Sequence, residues 1–227
     1  MPIKPSKIQE QFYKRLKEGQ YKAAENLIKK GANINYEYEH PEFDTILCPL
    51  LSKMILMGNR TAVEFLLRKG ANPNGGKGLT PLSCIIHRDD SQSDYKNTEI
   101  IQSLKQYGAD FTNIKNYDNS KESLLFTAVC LSKKGLVEYL LSNAVGVEVQ
   151  TESYMTLPRD NMISQITPLH MAAFLGYSPT IVEQLLVSGA NPLKADSYGN
   201  TALHLVAYPD PRYMSALPPG SHLTQNE

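Results

Sequence analysis

The chain has 227 residues with 23 Lys plus Arg against 23 Asp plus Glu, a formal net charge of zero, so no global basic field draws it to nucleic acid or to an anionic membrane. Its three cysteines, Cys48, Cys84 and Cys130, are odd in number and far apart, which argues against a disulfide scaffold and fits a reducing compartment where each thiol is a small buried hydrophobe. No apolar run approaches the roughly 18 residues of a membrane span, and residues 1–7 carry charge without a following apolar stretch, so neither membrane insertion nor a conventional secretory signal is expected.

In chain order, residues 8–35 read as a first helical pair. Ile8, Phe12 and Leu16 mark one helix, Gly19 breaks it, and Ala23, Ala24, Leu27 and Ile28 mark the next, which Gly31 ends. The polar residues Gln9, Lys14, Lys17, Lys22, Glu25 and Lys29 suit the outer side of an end unit. A second unit, 36–74, opens with an acidic and aromatic connector over 36–44, then predicts helices over 50–57 and 61–68 with Gly58 and Asn59 between them. That connector has two readings. Its rings lie on the adjacent unit, or they project as a partner-binding loop, since tyrosine offers large amphipathic contact at modest entropy cost.

The third unit, 75–113, begins with Gly75, Gly76, Lys77 and Gly78. No strand precedes these residues and no Gly-Lys-Ser or Gly-Lys-Thr ending follows, so they read as a tight turn rather than a phosphate cradle. After Leu82, Ile85 and Ile86, residues 87–97 insert polar chain between the two helices, either lengthening a helix or forming a surface loop. His87, Asp89, Asp90 and Asp94 have no spacing that would gather them on one face, so a solvated loop is read there and no metal site. The fourth unit, 114–149, carries Leu124, Leu125, Ala128 and Val129, then Val137, Leu140 and Leu141, with Ser132 to Gly135 in place of the usual turn and a short strand expected over 147–149. A second long insertion, 150–165, brings Tyr154, Met155, Leu157, Met162 and Ile163; so many apolar groups in one loop either fold back as cover or present a sticky patch. The fifth unit, 150–194, has the most regular helices, and the sixth, 195–217, is incomplete, because Pro209 and Pro211 stop its first helix. Residues 1–7 and 218–227 are read as tails.

The units repeat one another. A closing signal recurs at Gly31-Ala32-Asn33, Gly70-Ala71-Asn72, Gly108-Ala109-Asp110 and Gly189-Ala190-Asn191, with a weaker copy at Ala144-Val145, at separations of 39, 38, 36 and 45 residues (31 to 70, 70 to 108, 108 to 144, 144 to 189). Opening signals recur as Thr80-Pro81-Leu82, Thr167-Pro168-Leu169-His170 and Thr201-Ala202-Leu203-His204. A first-turn proline such as Pro81 or Pro168 loses no intrahelical bond. A pair of short helices cannot bury its apolar face alone, so repetition implies stacking.

These motifs resemble those of the ankyrin-repeat family over residues 8–217, most closely in the fifth unit. The resemblance implies an all-α solenoid of stacked antiparallel helix pairs, with hairpin loops set at a right angle to the helices. It also implies binding of a protein partner through those loops and the concave helix face. His170 and His204 then act as structural hydrogen-bonding residues; a catalytic histidine has no reason to recur with each unit, and imidazole can serve two polar groups at a junction.

No nucleophile and base pair, or pair of carboxylates, stands at a recognisable spacing. An extended stack offers no deep water-excluding cavity, so no enzyme activity and no cofactor are expected, and the chain is expected to be monomeric alone. The anchors expected for a partner are Tyr36, Tyr38 and Phe43 in the second connector, Lys77 and Tyr117 in the next two, Tyr154 in the long insertion and Tyr198 in the last unit. Two rival readings are a recruiting segment of a larger enzyme and a structural spacer. The irregular insertions and the Asn, Lys, Ile and Tyr usage also resemble ankyrin proteins that intracellular bacteria deliver into host cells, which would place the chain in cytoplasm, including that of a host.

Overall fold

The computed structural model describes residues 5–39, 47–76, 80–86, 94–112, 114–115, 121–143, 146–148, 165–176 and 179–207. Phe43, Lys77, Tyr117 and Tyr154, the long insertion apart from Gln165, and residues 208–227 lie outside them. The chain divides into two compact units, residues 1–110 and 111–227.

In the first unit α1 (Lys7–Lys17) and α2 (Tyr21–Lys29) form one helical pair. Ser6 starts α1 by accepting the Gln9 N–H at 3.3 Å, and Lys14, Arg15 and Lys17 in its last turn complement the helix dipole. The connector then forms a short antiparallel ribbon, β1 (Glu37–Glu39) with β2 (Leu47–Pro49), in which Tyr38 faces Cys48 across the strands. Next come α3 (Leu50–Leu56) with α4 (Arg60–Arg68), and α5 (Pro81–Ile86) with α6 (Asp94–Gln106). The insertion after Ile86 is partly absorbed as extra helix, since α6 already begins at Asp94.

The second unit repeats the plan. A ribbon of β3 (Ile114–Lys115) and β4 (Lys121–Glu122) precedes α7 (Leu124–Cys130) and α8 (Lys134–Ser142), followed by α9 (Pro168–Leu175), α10 (Pro179–Val187) and α11 (Ala202–Ala207). Val147 and Glu148 lie in a turn, not in the strand expected from their alternation.

Burial explains the layering. Every residue of α7 is buried, and so is every residue of α5, whereas α8 buries only Leu136, Val137 and Leu140 and α10 only Ile181 and Leu185. A helix that is apolar all round must be covered on every side, and one with a stripe faces solvent with the rest. Accordingly α3 packs on both α4 and α5 and α4 reaches α6, while in the second unit α7 packs on α8 and α9, α8 on α10, and α9 on both α10 and α11. First helices therefore form an inner row and second helices an outer row within each unit. Fully buried side chains such as Leu16, Leu50, Leu66, Leu124 and Leu140 contribute about 1.5–3 kcal/mol each relative to exposure.

Candidate protein-interaction surface

Two hydrogen-bond devices hold the repeats in register. The first is the opening of α9. The Thr167 hydroxyl accepts the His170 N–H at 3.3 Å, and His170 Nδ1 accepts the Thr167 N–H at 3.1 Å, a reciprocal capping box. With Nδ1 an acceptor, the ring proton sits on Nε2, which donates to the Asn200 carbonyl 3.0 Å away in the turn before α11. His170 thus joins its own helix start to the next repeat while only 1 % exposed. Burial pushes its pKa down, against opposing pulls from the Asn200 and Lys194 carbonyls and the Asp196 and Glu148 carboxylates. Thr201 and His204 build the same local pair, with the Thr201 N–H donating to His204 Nδ1 at 3.2 Å, but His204 is exposed. Thr80 is a simpler version. Its hydroxyl accepts the Ser83 N–H at 3.2 Å, and Pro81 occupies the first helical position.

The second device runs along the closing turns. Gly31, Gly70, Gly108 and Gly189 all adopt positive φ, from 85 to 96°, which glycine reaches without the penalty an L side chain meets. Just beyond them Asn35 Oδ1 accepts the Asn72 N–H at 2.8 Å and Asn74 Oδ1 accepts the Asp110 N–H at 2.6 Å; in the other unit Glu148 Oε1 accepts the Asn191 N–H at 2.7 Å. Among the described residues three side-chain acceptors thus reach the backbone of the following helical pair, two in the first unit and one in the second. The reading of the closing signals stopped at Asn33 and Asn72 and missed this ladder, although a second Asn two residues on, in Asn33-Ile34-Asn35 and Asn72-Pro73-Asn74, was its visible trace.

On this frame the first unit carries an aromatic cluster. The Tyr38 ring is 5.3 Å from Tyr13 on α1 and 4.8 Å edge-on from Tyr36, and its hydroxyl donates to the Gln9 carbonyl at 3.3 Å. Burial, with smaller contributions from Tyr36, Tyr13 and Glu10, pushes the Tyr38 pKa up to about 12, although the Gln9 side-chain amide donates to the hydroxyl at 3.5 Å and pulls the other way. Lys53 of α3 lies 4.7 Å from the Tyr38 ring centre and 5.0 Å from that of Tyr13, and Lys17 is 5.5 Å from Tyr13. The Tyr13 hydroxyl contacts Met57 Sδ at 3.6 Å. Of the expected anchors, Tyr36 and Tyr38 come together here, and Tyr38 is committed on one side to the adjacent repeat. Tyr198 is 43 % exposed in the turn before α11, its N–H donating to Asp196 Oδ1 at 2.8 Å.

Among the described residues no group of three or more His, Cys, Asp or Glu could hold a metal ion, and no helix is long and apolar enough to cross a membrane. Cys48, Cys84 and Cys130 are buried and form no disulfide. Comparison with curated proteins gives no match. The family model for the ankyrin repeat matches residues 164–197. That stretch contains the Thr167 and His170 capping box, the α9 and α10 pair and the Gly189 turn, so this segment is similar to an ankyrin repeat, and ankyrin repeats are generally protein-interaction modules.

Proposed function

We propose that the chain is a non-catalytic interaction module in which the repeat extends over residues 8–217, and that it holds one macromolecular partner through the faces of its first helices and its hairpin loops, the concave side of ankyrin proteins. The observation that carries this reading is the tyrosine pair Tyr36 and Tyr38, set just before and within a ribbon beside half-exposed first-helix residues. Rings of this kind supply most of the energy of a contact from few positions. The composition that resembles delivered bacterial ankyrin proteins supports action in cytoplasm, including that of a host cell.

The test is crosslinked capture of partners by the intact chain and by a variant with Tyr36, Tyr38, Tyr154 and Tyr198 all changed to alanine, with far-UV circular dichroism confirming helix content. Loss of specific partners from the variant is the expected result. Equal recovery of the same partners by both proteins overturns this surface.

A further inference from the structure

Cys48 and Cys84 are 36 residues apart in sequence (48 to 84), yet their side chains hydrogen-bond one another inside the first unit. Cys48 is the middle residue of β2, just before α3, and Cys84 lies on α5, which packs against α3. Ser52 on α3 and Ser83 on α5 also hydrogen-bond Cys84, and all four side chains are wholly buried. Ser83 Oγ donates in addition to the Thr80 carbonyl at 2.9 Å, and the Cys48 thiol reaches the Pro49 carbonyl at 3.8 Å. The flanking residues Leu50, Leu51, Leu82 and Ile85 are buried and apolar. Two thiols and two hydroxyls thus satisfy one another within an apolar layer.

The two thiols are unequal. The hydrogen bond from Cys84 holds the Cys48 thiol below its ordinary value, helped by the Lys53 ammonium, against burial and the Glu37 carboxylate. That same bond, with burial, pushes Cys84 up. Cys48 is therefore the sulfur that takes negative charge more readily, and it has a proton donor set against it. Access comes through the ribbon, which holds only three residue pairs, Tyr38 opposite Cys48 among them. A two-stranded ribbon is marginally stable by itself and opens locally at little cost.

We propose that Cys48 and Cys84 are a reversible redox pair, which a peroxide converts to a disulfide joining β2 to α5. The Cys48 thiolate attacks one peroxide oxygen, the O–O bond breaks, and the hydroxide released takes up the proton that Cys48 lost, leaving a sulfenic acid. The Cys84 sulfur then attacks the Cys48 sulfur, and the sulfenic oxygen leaves as water with the Cys84 proton. The two sulfurs lose two electrons between them, and the peroxide is reduced to two waters. Thiols already in contact need only their side chains to close toward the S–S distance of about 2.05 Å. The bond would fix the strand facing Tyr38 to α5. In a reducing compartment such a disulfide is transient, the form in which intracellular disulfides report oxidation. An odd cysteine count accommodates one pair, since Cys130 stands on α7 in the other unit.

The experiment oxidises the reduced full chain with hydrogen peroxide, quenches it in urea with N-ethylmaleimide, and maps every cysteine by tryptic digestion and mass spectrometry. The expected result is a Cys48–Cys84 linked peptide at least about fivefold more abundant than any link to Cys130, and lost on adding dithiothreitol. Cys130→Ala should leave that yield unchanged. Cys84→Ala should stop the reaction at the Cys48 sulfenic acid, trapped by dimedone, with far-UV circular dichroism checking helix content; if that variant loses its helices, the map of the unsubstituted chain decides alone. Absence of the link in the unsubstituted chain, an equal share of links to Cys130, or conversion of Cys48 to sulfinic or sulfonic acid in place of the link each overturns the inference. It does not rest on the interaction-module reading, which stands or falls by partner capture.

Discussion

His170 and His204 make the same local hydrogen bonds and differ in what surrounds them, so their alanine variants form an internal comparison. His204→Ala removes a helix-start interaction at an exposed site, for which about 0.5–1 kcal/mol is expected. His170→Ala removes that interaction, the Nε2 bond to Asn200 at 3.0 Å, and the packing of a ring that is 1 % exposed. Adding about 1 kcal/mol for the bond and a similar amount for the void and the unpaired Thr167 N–H gives about 3 kcal/mol. Hydrogen exchange of the α9 amides, read by mass spectrometry, reports the local opening free energy directly. The difference of about 2 kcal/mol corresponds to about thirtyfold faster exchange in His170→Ala than in His204→Ala. Equal effects, or a larger one at His204, would refute the claim that His170 ties two repeats. The pH dependence follows with its sign. Because the folded pKa of His170 lies below its ordinary 6.5, the unfolded form binds the proton more readily, so the contribution is complete above about pH 6.5 and declines as pH falls toward the folded value. α9 protection, corrected for intrinsic exchange, should drop between about pH 7.5 and about pH 5.5, and His170→Gln should flatten that drop.

Four further outcomes follow from the geometry. Asn74→Ala loses both the acceptor for the Asp110 N–H and a donor to the Gly108 carbonyl at 3.2 Å, whereas Asn35→Ala loses one acceptor to the next repeat; urea melts should show roughly twice the loss for Asn74, about 1–2 against about 0.5–1 kcal/mol. Gly189 has φ of 92° with open space where a Cβ would stand, so Gly189→Ala should cost about 1–2 kcal/mol by backbone strain alone, and Gly189→Asn less. Conversely Ser132, at φ of 52°, stands where the other repeats have Gly19, Gly58 and Gly176, and Ser132→Gly should raise the urea midpoint by the equivalent of about 0.5 kcal/mol after allowing for the added freedom of the unfolded chain. Native Cys48, Cys84 and Cys130 should resist Ellman's reagent and all titrate in urea, since each is no more than 1 % exposed; rapid labelling of the folded protein would contradict that burial.

The periodic features were legible because they depend on local rules. Apolar spacing in Leu50, Leu51, Met54 and Ile55 located α3, and the glycines at 31, 70, 108 and 189 located the turns that need positive φ. The role of Tyr38 was not decidable from spacing. Whether its ring projects or lies back depends on the Gln9 carbonyl and Tyr13, which are 29 and 25 residues away in sequence (38 to 9, 38 to 13). The Lys53 ammonium over the Tyr13 ring, 40 residues away in sequence (53 to 13), was hidden for the same reason. Val147 and Glu148 show the opposite failure, where a short alternation mimicked a strand.

The side-chain acceptors join backbone that is 37, 36 and 43 residues away in sequence, yet the bonds stay between 2.6 and 2.8 Å. Chain can thus be gained or lost between rungs without the rung itself sensing it, and where the spacing is longest a glutamate takes the place of an asparagine. Such a scaffold separates the part of evolution that must conserve a distance from the part that is free to vary a length, so that new surface loops can be tried without rebuilding what holds neighbouring repeats side by side.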